Sequence, residues 1–282
     1  MRCLACILVL GGCCCKAAAA HSSQVDAEVF AGHASNPDRA QNGKGVAAED
    51  VRGANLSAYT TTLIDPNSGI EFQGAASLLT HSAYSGLNEV GLKARVKYRV
   101  QPTVGYTQPW YELSLGLERY QHASSAIRDA TDATLGLTLG KRYTDRIAGT
   151  GGVAIRRELP DHGSVFDRTE GQLWAAVDYR YGIDNSLYAR LSRSWGDQVF
   201  GGQEYTTYYR NVKASADDPA FGESRYAYRI HACTTLAEVG TSLPFPGYGT
   251  WDLRATRSRS LAYAGMNYST TLLVLAWRGR FF

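Results

Sequence analysis

From Val90 to Val100 the chain alternates apolar and polar residues without a break. Val90, Leu92, Ala94, Val96, Tyr98 and Val100 share one parity, while Lys93, Arg95, Lys97 and Arg99 share the other. A repeat of two belongs to a β-strand, whose side chains point to opposite faces in turn; on a helix both sets would scatter around the axis. The chain therefore builds a sheet with one oily face and one wet face. The pattern returns at Tyr111, Leu113, Leu115 and Leu117, at Leu135, Leu137 and Leu139, at Leu173, Ala175, Val177, Tyr179 and Tyr181, and at Tyr226, Tyr228, Ile230 and Ala232.

Alternation alone fits a soluble sandwich as well as a membrane barrel. Segment length and turn asymmetry separate the two. The segments run to about ten residues or more, the length a tilted strand needs to cross hydrocarbon. Tight, turn-rich connections at 65–69, 143–146, 182–185 and 244–248 take turns with longer polar ones near 35–53, 120–130, 158–169 and 197–225. Short turns at one end and long loops at the other characterise an outer-membrane barrel.

The expected fold is all-β: a transmembrane antiparallel up-and-down β-barrel of twelve strands. These fall near 24–34, 54–64, 70–81, 88–100, 110–119, 131–142, 147–157, 170–182, 186–196, 226–243, 249–258 and 270–282. The first two have the weakest pattern. Ten strands, with residues 21–65 as a periplasmic tail, is the alternative.

Composition narrows the function classes. A mean hydropathy of −0.26 excludes a bundle of membrane-spanning helices. A formal net charge of +3 over 282 residues is too small for a nucleic-acid binder driven by phosphate contacts, so no nucleic-acid partner is expected. All the cysteines but Cys233 lie in the first fifteen residues, which leaves no intramolecular disulfide and no cysteine metal site. His81, His122 and His162 lack the spacing of a metal motif, and no cofactor is expected.

The opening Met1-Arg2 and the short apolar run from Cys3 to Leu10 read as a secretory signal, residues 1–20, cleaved after Ala18-Ala19-Ala20. The box Leu10-Gly11-Gly12-Cys13 offers a rival, lipidation at Cys13. Plain cleavage is preferred because a chain that closes in the membrane needs no lipid anchor. The mature chain, 21–282, is then one barrel domain in the cell outer membrane. At the other end, Leu273, Leu275, Trp277 and Phe281 alternate with polar and small residues and the chain stops at Phe282. A last strand of this kind is similar to the insertion signal that the barrel assembly machinery reads. Expected partners are that machinery, outer-membrane lipid and small solutes.

Thr144-Asp145-Arg146, Arg156-Arg157, Ser164-Val165-Phe166-Asp167, Val177-Asp178-Tyr179, Leu187-Tyr188 and Phe221-Gly222 before Ala227-Tyr228-Arg229 resemble a group of uncharacterised outer-membrane β-barrel proteins of Gram-negative bacteria. The resemblance spans about residues 50–282 and implies compartment and fold, with no catalytic residue. A looser one is to the barrel of surface-lipoprotein assembly modifiers.

If the apolar parity faces lipid, the other parity lines the lumen: Lys93, Arg95, Lys97, Arg99, Glu112, Glu118, Asp178, Arg180, Arg190, Arg229, His231, Arg278 and Arg280 among its charges. The full tally of that parity is mildly cationic. Cross-strand pairing is expected to neutralise much of it, Lys93–Arg99 against Glu71, Glu112 and Glu118, and Arg278 and Arg280 against Asp26 and Glu28. Two readings follow: a salt-bridged network filling a small non-enzymatic barrel, or a narrow passive pore favouring anions. The long loop Gly196–Ser224, with Tyr205, Tyr208, Tyr209, Arg210 and Lys213, reads as a receptor surface or a plug. Ser192, Ser194 and His231, oriented by Glu170, are the residues on which a rim-active lipid or peptide hydrolase would rest.

Overall fold

The structure, a computed structural model, describes residues 21–40, 47–182, 185–202, 212–222, 224–245, 247, 249–262 and 267–281. The leader with its cleavage site and Cys13, the tyrosines of the 203–211 stretch and Phe282 lie outside these residues.

Thirteen strands are described: β1 (His21–Ala34), β2 (Glu49–Asp65), β3 (Ser68–His81), β4 (Glu89–Val100), β5 (Trp110–His122), β6 (Ala130–Arg142), β7 (Ile147–Pro160), β8 (Arg168–Tyr181), β9 (Asn185–Gly202), β10 (Ala214–Asp217), β11 (Tyr226–Phe245), β12 (Gly249–Ala262) and β13 (Asn267–Phe281). All but β10 form one antiparallel ring, closed where β9 pairs with β11 and β13 with β1. Closure gives the backbone N–H and C=O groups of these strands partners within the wall, which hydrocarbon demands because it offers none. The twelve expected strands are all present. The ten-strand alternative fails, since β1 closes the ring through pairs running from Val25↔Phe281 to Ala34↔Leu272. Weak alternation in β1 and β2 is overcome by pairing on both sides.

The outward parity is the oily one over the middle of the wall. Leu56, Leu92, Leu115, Leu137, Ile155, Leu173, Leu191, Val239, Leu253 and Leu275 each expose half or more of their surface, which only a lipid surround makes favourable all the way round a barrel. Tyr98, Tyr111, Tyr179, Phe245 and Trp251 stand outward near the short-turn end, as an interfacial aromatic girdle does. Trp110, near the same end, faces the other way. It shares the inward parity of Glu112, and the Arg99 guanidinium lies 4.2 Å from its ring centroid.

The strand ends that lead into the longer connections, among them Ala34, His81, His122, Pro160 and Gly202, gather at one end; His21, Asp65, Arg142, Tyr181, Phe245 and Phe281 lie at the other. Several strands outrun their expected ends toward the long loops: β9 continues to Gly202, and β12 to Ala262. There the two faces exchange character. Phe200, Tyr228, Ile230, Ala232, Ala262 and Tyr268 pack inside the mouth, with Phe200 edge-on to Tyr268 at 4.7 Å. In this stretch the apolar parity turns inward, while on the other face Val199 and Ala227 pack against Val165 and Phe166 of the β7–β8 connection.

Candidate functional site

Neighbouring strands position the charges of the inner wall in opposite-sign pairs. Lys97 reaches Glu71 at 2.7 Å, Lys93 reaches Glu118 at 3.0 Å and Arg99 reaches Glu112 at 2.6 Å. Across the closing seam Arg278 meets Glu28 at 2.7 Å and Arg280 meets Asp26 at 3.4 Å. Arg156 binds Asp132, and Arg168 binds Glu158 at 2.5 Å. Arg190 lies 4.8 Å from the Trp174 ring centroid. Asp178 and Arg180 share the inward parity of β8 near the short-turn end. Arg95 has no carboxylate partner among the described residues; it lies over Gly116, where an added Cβ would sit 3.5 Å from Arg95 Nε.

Two of the expected lumen residues are misplaced by the sequence reading. Arg229 and His231 belong to the outward parity of β11, opposite buried Ile230 and Ala232. Both gather on outward Asp197 of β9, with His231 Nδ1 at 3.7 Å and Arg229 Nε at 4.0 Å. Tyr226–Ala232 stands above the apolar belt, so its alternation does not mark a lipid-facing side. Inward Glu49, Glu89 and Glu238 meanwhile join the acids, so the cationic excess expected of the lumen disappears.

The same correction separates the hydrolase residues. Ser192 and Ser194 are buried on the inner face of β9, and Glu170 accepts a hydrogen bond from Gln198 at 2.8 Å, also inside. His231 is on the other side of the wall. A general base must reach its nucleophile within hydrogen-bond distance, and no such triad is assembled. No group of metal-ligating residues occurs among the described residues.

What the structure assembles instead is a pair of loop segments folded across the mouth. The β9–β11 connection sends Asp218–Gly222 across the opening to the β3–β4 connection, which lies six strands away round the ring. There Ala220 and Phe221 pack on Leu87, and Phe221 meets Tyr84 edge-on at 4.9 Å. Asp218, 1% exposed, accepts hydrogen bonds from Ser125 Oγ at 3.1 Å and from Arg128 Nε and Nη2 at 3.0 and 2.5 Å. Arg128 itself lies near the Phe166 and Phe221 rings, 4.9 and 5.1 Å from their centroids.

A second segment folds in beside the first. In the β1–β2 connection, the Asp38 carboxylate accepts from Arg225 Nη1 at 3.1 Å and from the Ala40 amide at 2.9 Å, while its carbonyl takes the Gly201 amide at 2.9 Å. Burial pushes the Asp38 carboxyl above its usual range, although Arg225 and Arg128 pull the other way. Burial likewise raises the Tyr84 phenol. Beneath both segments is a polar chamber of about 290 Å³, walled by residues that include Glu118, Tyr120, His122, Arg128, Asp132 and Arg156.

Sequence reading singled out the 197–225 loop but not the residues that fasten it. Asp218, Arg128 and Asp38 carry no motif, and their contacts join positions far apart in the chain. The Pro219 that follows Asp218 is the one local signal, since Asp before Pro is a turn starter.

No family model matches the chain, and no curated protein matches it by sequence. Solved structures do. An outer membrane channel from Pseudomonas putida F1 superposes with a TM-score of 0.60 at 13% identity, covering 92% of this chain and 95% of that one. The KdgM porin in complex with oligogalacturonate gives a TM-score of 0.45 at 8% identity over 91% of this chain and 98% of that one. At such identities the likeness bears on the fold alone. Together with the continuous apolar belt it identifies the chain as a twelve-stranded β-barrel of the cell outer membrane.

Proposed function

We propose that this protein is a narrow passive channel for small solutes, held shut at its extracellular mouth by the segment around Asp218. The observation that carries the reading is the crossing of that segment over an inner wall of small residues. Ser114, Gly116, Thr134, Gly136, Thr138, Gly152 and Ala154 line adjacent strands on the inward side, where a barrel filled by its own side chains would need bulk. Most of the lumen charges are paired with opposite ones, Arg95 being an exception, so discrimination between anions and cations is weak.

Barrel insertion is assigned to the last strand, whose Leu273, Leu275 and Phe281 are exposed outward for the assembly machinery to read. The looser resemblance to surface-lipoprotein assembly modifiers attaches no residue role and adds nothing to this reading.

Planar-bilayer recording of the refolded protein tests the proposal. Rare, brief openings are expected from the native chain and long ones after Asp218→Ala. Silence from both, with folding confirmed by heat-modifiable migration, would rule out the channel and leave a structural barrel.

A further inference from the structure

The outer wall of β9, β11 and β12 carries arginines where a membrane barrel should carry only oil. Arg193, Arg257 and Arg259 are exposed and share the outward parity of Leu191, Leu253 and Leu261. The register puts Arg193 opposite Thr235 and Thr235 opposite Arg259, so these two arginines lie on one row across three strands. With strands about 4.8 Å apart, their Cα atoms are about 10 Å from one another. Arg257 is the next outward residue below Arg259, beside Ala237.

None of the three has a carboxylate partner among the described residues. Arg193 Nε contacts only Cys233 Sγ, at 3.0 Å. The nearby outward acid, Asp197, is already taken by Lys213 at 2.5 Å and by Arg229 and His231. Among other outward bases, Arg119 pairs with Asp161 and Arg157 with Asp167 at 2.5 Å. Arg52 of β2 and Lys141 of β6 are exposed on the outward parity without a carboxylate partner among the described residues, but as single residues, whereas the wall at β9–β12 gathers three such charges.

Depth completes the case. From girdle residue Trp251, six residues of strand tilted by about 40° rise about 15 Å to Arg257, and Arg259 stands about 5 Å higher, inside an apolar band about 25 Å tall. The side chains therefore emerge in the outer-leaflet part of the band, within snorkelling reach of its headgroups. Apolar Trp195 and Leu261 continue the face just above them. A bare guanidinium there is unfavourable unless an anion meets it, and a fork of guanidiniums matches phosphate oxygens bidentately.

We propose that Arg193, Arg257 and Arg259 form a binding site for the phosphorylated headgroup of an outer-leaflet lipid, whose acyl chains lie on Leu191, Leu253 and Ala255 below. The full-length protein in detergent, titrated with a diphosphorylated glycolipid and separately with phosphatidylethanolamine, tests it by Trp fluorescence and native mass spectrometry. Changing all three arginines to Gln is expected to weaken glycolipid binding at least tenfold while leaving phosphatidylethanolamine binding and heat-modifiable migration unaltered. Should that variant fold poorly, Arg257→Gln alone should weaken it about threefold. Arg119→Gln, on the far wall, should change nothing. Undiminished glycolipid binding by the triple variant overturns the site, as does an equal loss in Arg119→Gln. Displacement of the lipid by inorganic phosphate at matching concentration would also overturn it, by showing a site for free anions.

Discussion

Arg128 and Asp218, ninety residues apart in sequence, meet side by side beneath the mouth of the barrel, the guanidinium donating through Nε and Nη2 to a carboxylate almost wholly removed from solvent. This contact fastens the β9–β11 connection to the β5–β6 connection, four strands away round the ring. Breaking a buried pair by removing one partner costs about 3 kcal/mol, because the survivor stays desolvated and unpaired. Asp218→Ala should release the 212–225 segment without unfolding the wall. Limited proteolysis is expected to cut that loop in the variant at protease levels the native loop survives, with migration of the folded barrel unchanged.

Packing offers a route to the same open state with every charge left in place. A Cβ on Gly86 would lie 2.7 Å from Ala220 Cα, a backbone atom that cannot step aside unless the segment lifts. Gly86→Val should therefore lengthen channel openings as Asp218→Ala does. Native-like closure in Gly86→Val would mean that the contact between these two loops does not hold the mouth shut.

The lumen bases differ in what their loss leaves behind. Arg95 has no acidic partner among the described residues, whereas Lys97 neutralises Glu71. Arg95→Gln and Lys97→Gln should both move the reversal potential in a salt gradient toward cations. Only Lys97→Gln is expected to lower stability, by about 1 kcal/mol, because it leaves part-buried Glu71 unpaired. Urea unfolding in detergent, read beside the reversal potential, separates the two effects.

The raised carboxyl of Asp38 gives the mouth a pH dependence of definite sign. The folded loop holds this proton more tightly than the unfolded loop does. Its stability is then greatest below the carboxyl's ordinary value and falls as pH rises from there through the raised one. The protection factor of the Gly201 amide, which donates to the Asp38 carbonyl, should fall over that range. Asp38→Asn should remove the dependence, and an unchanged pH profile in that variant would show that another group sets it.

Much of the wall was legible in the chain. Between the two interfaces, hydrocarbon outside and water inside impose opposite demands on successive residues, so strands such as Val90–Val100 declare both their path and their facing. The pairing of Lys93, Lys97 and Arg99 with flanking acids followed from strand order, because an up-and-down ring makes sequence neighbours spatial neighbours.

That logic fails where the hydrocarbon ends. At Tyr226–Ala232 the alternation is as regular as anywhere, yet its apolar parity faces inward, because above the membrane no hydrocarbon draws it outward and the inner face packs on Phe200, Ala262 and Tyr268. Periodicity reports that two faces differ and is silent about which one is wet. Arg193, Arg257 and Arg259 escaped notice as one group because their row exists only once β9, β11 and β12 are placed in register. The sequence by itself thus determined the strands, the closed wall and the compartment, all of which rest on local period and length. The tertiary structure alone decided the loop contacts across the mouth and the cationic outer wall, since each depends on contacts across the ring or between strands that no local pattern encodes.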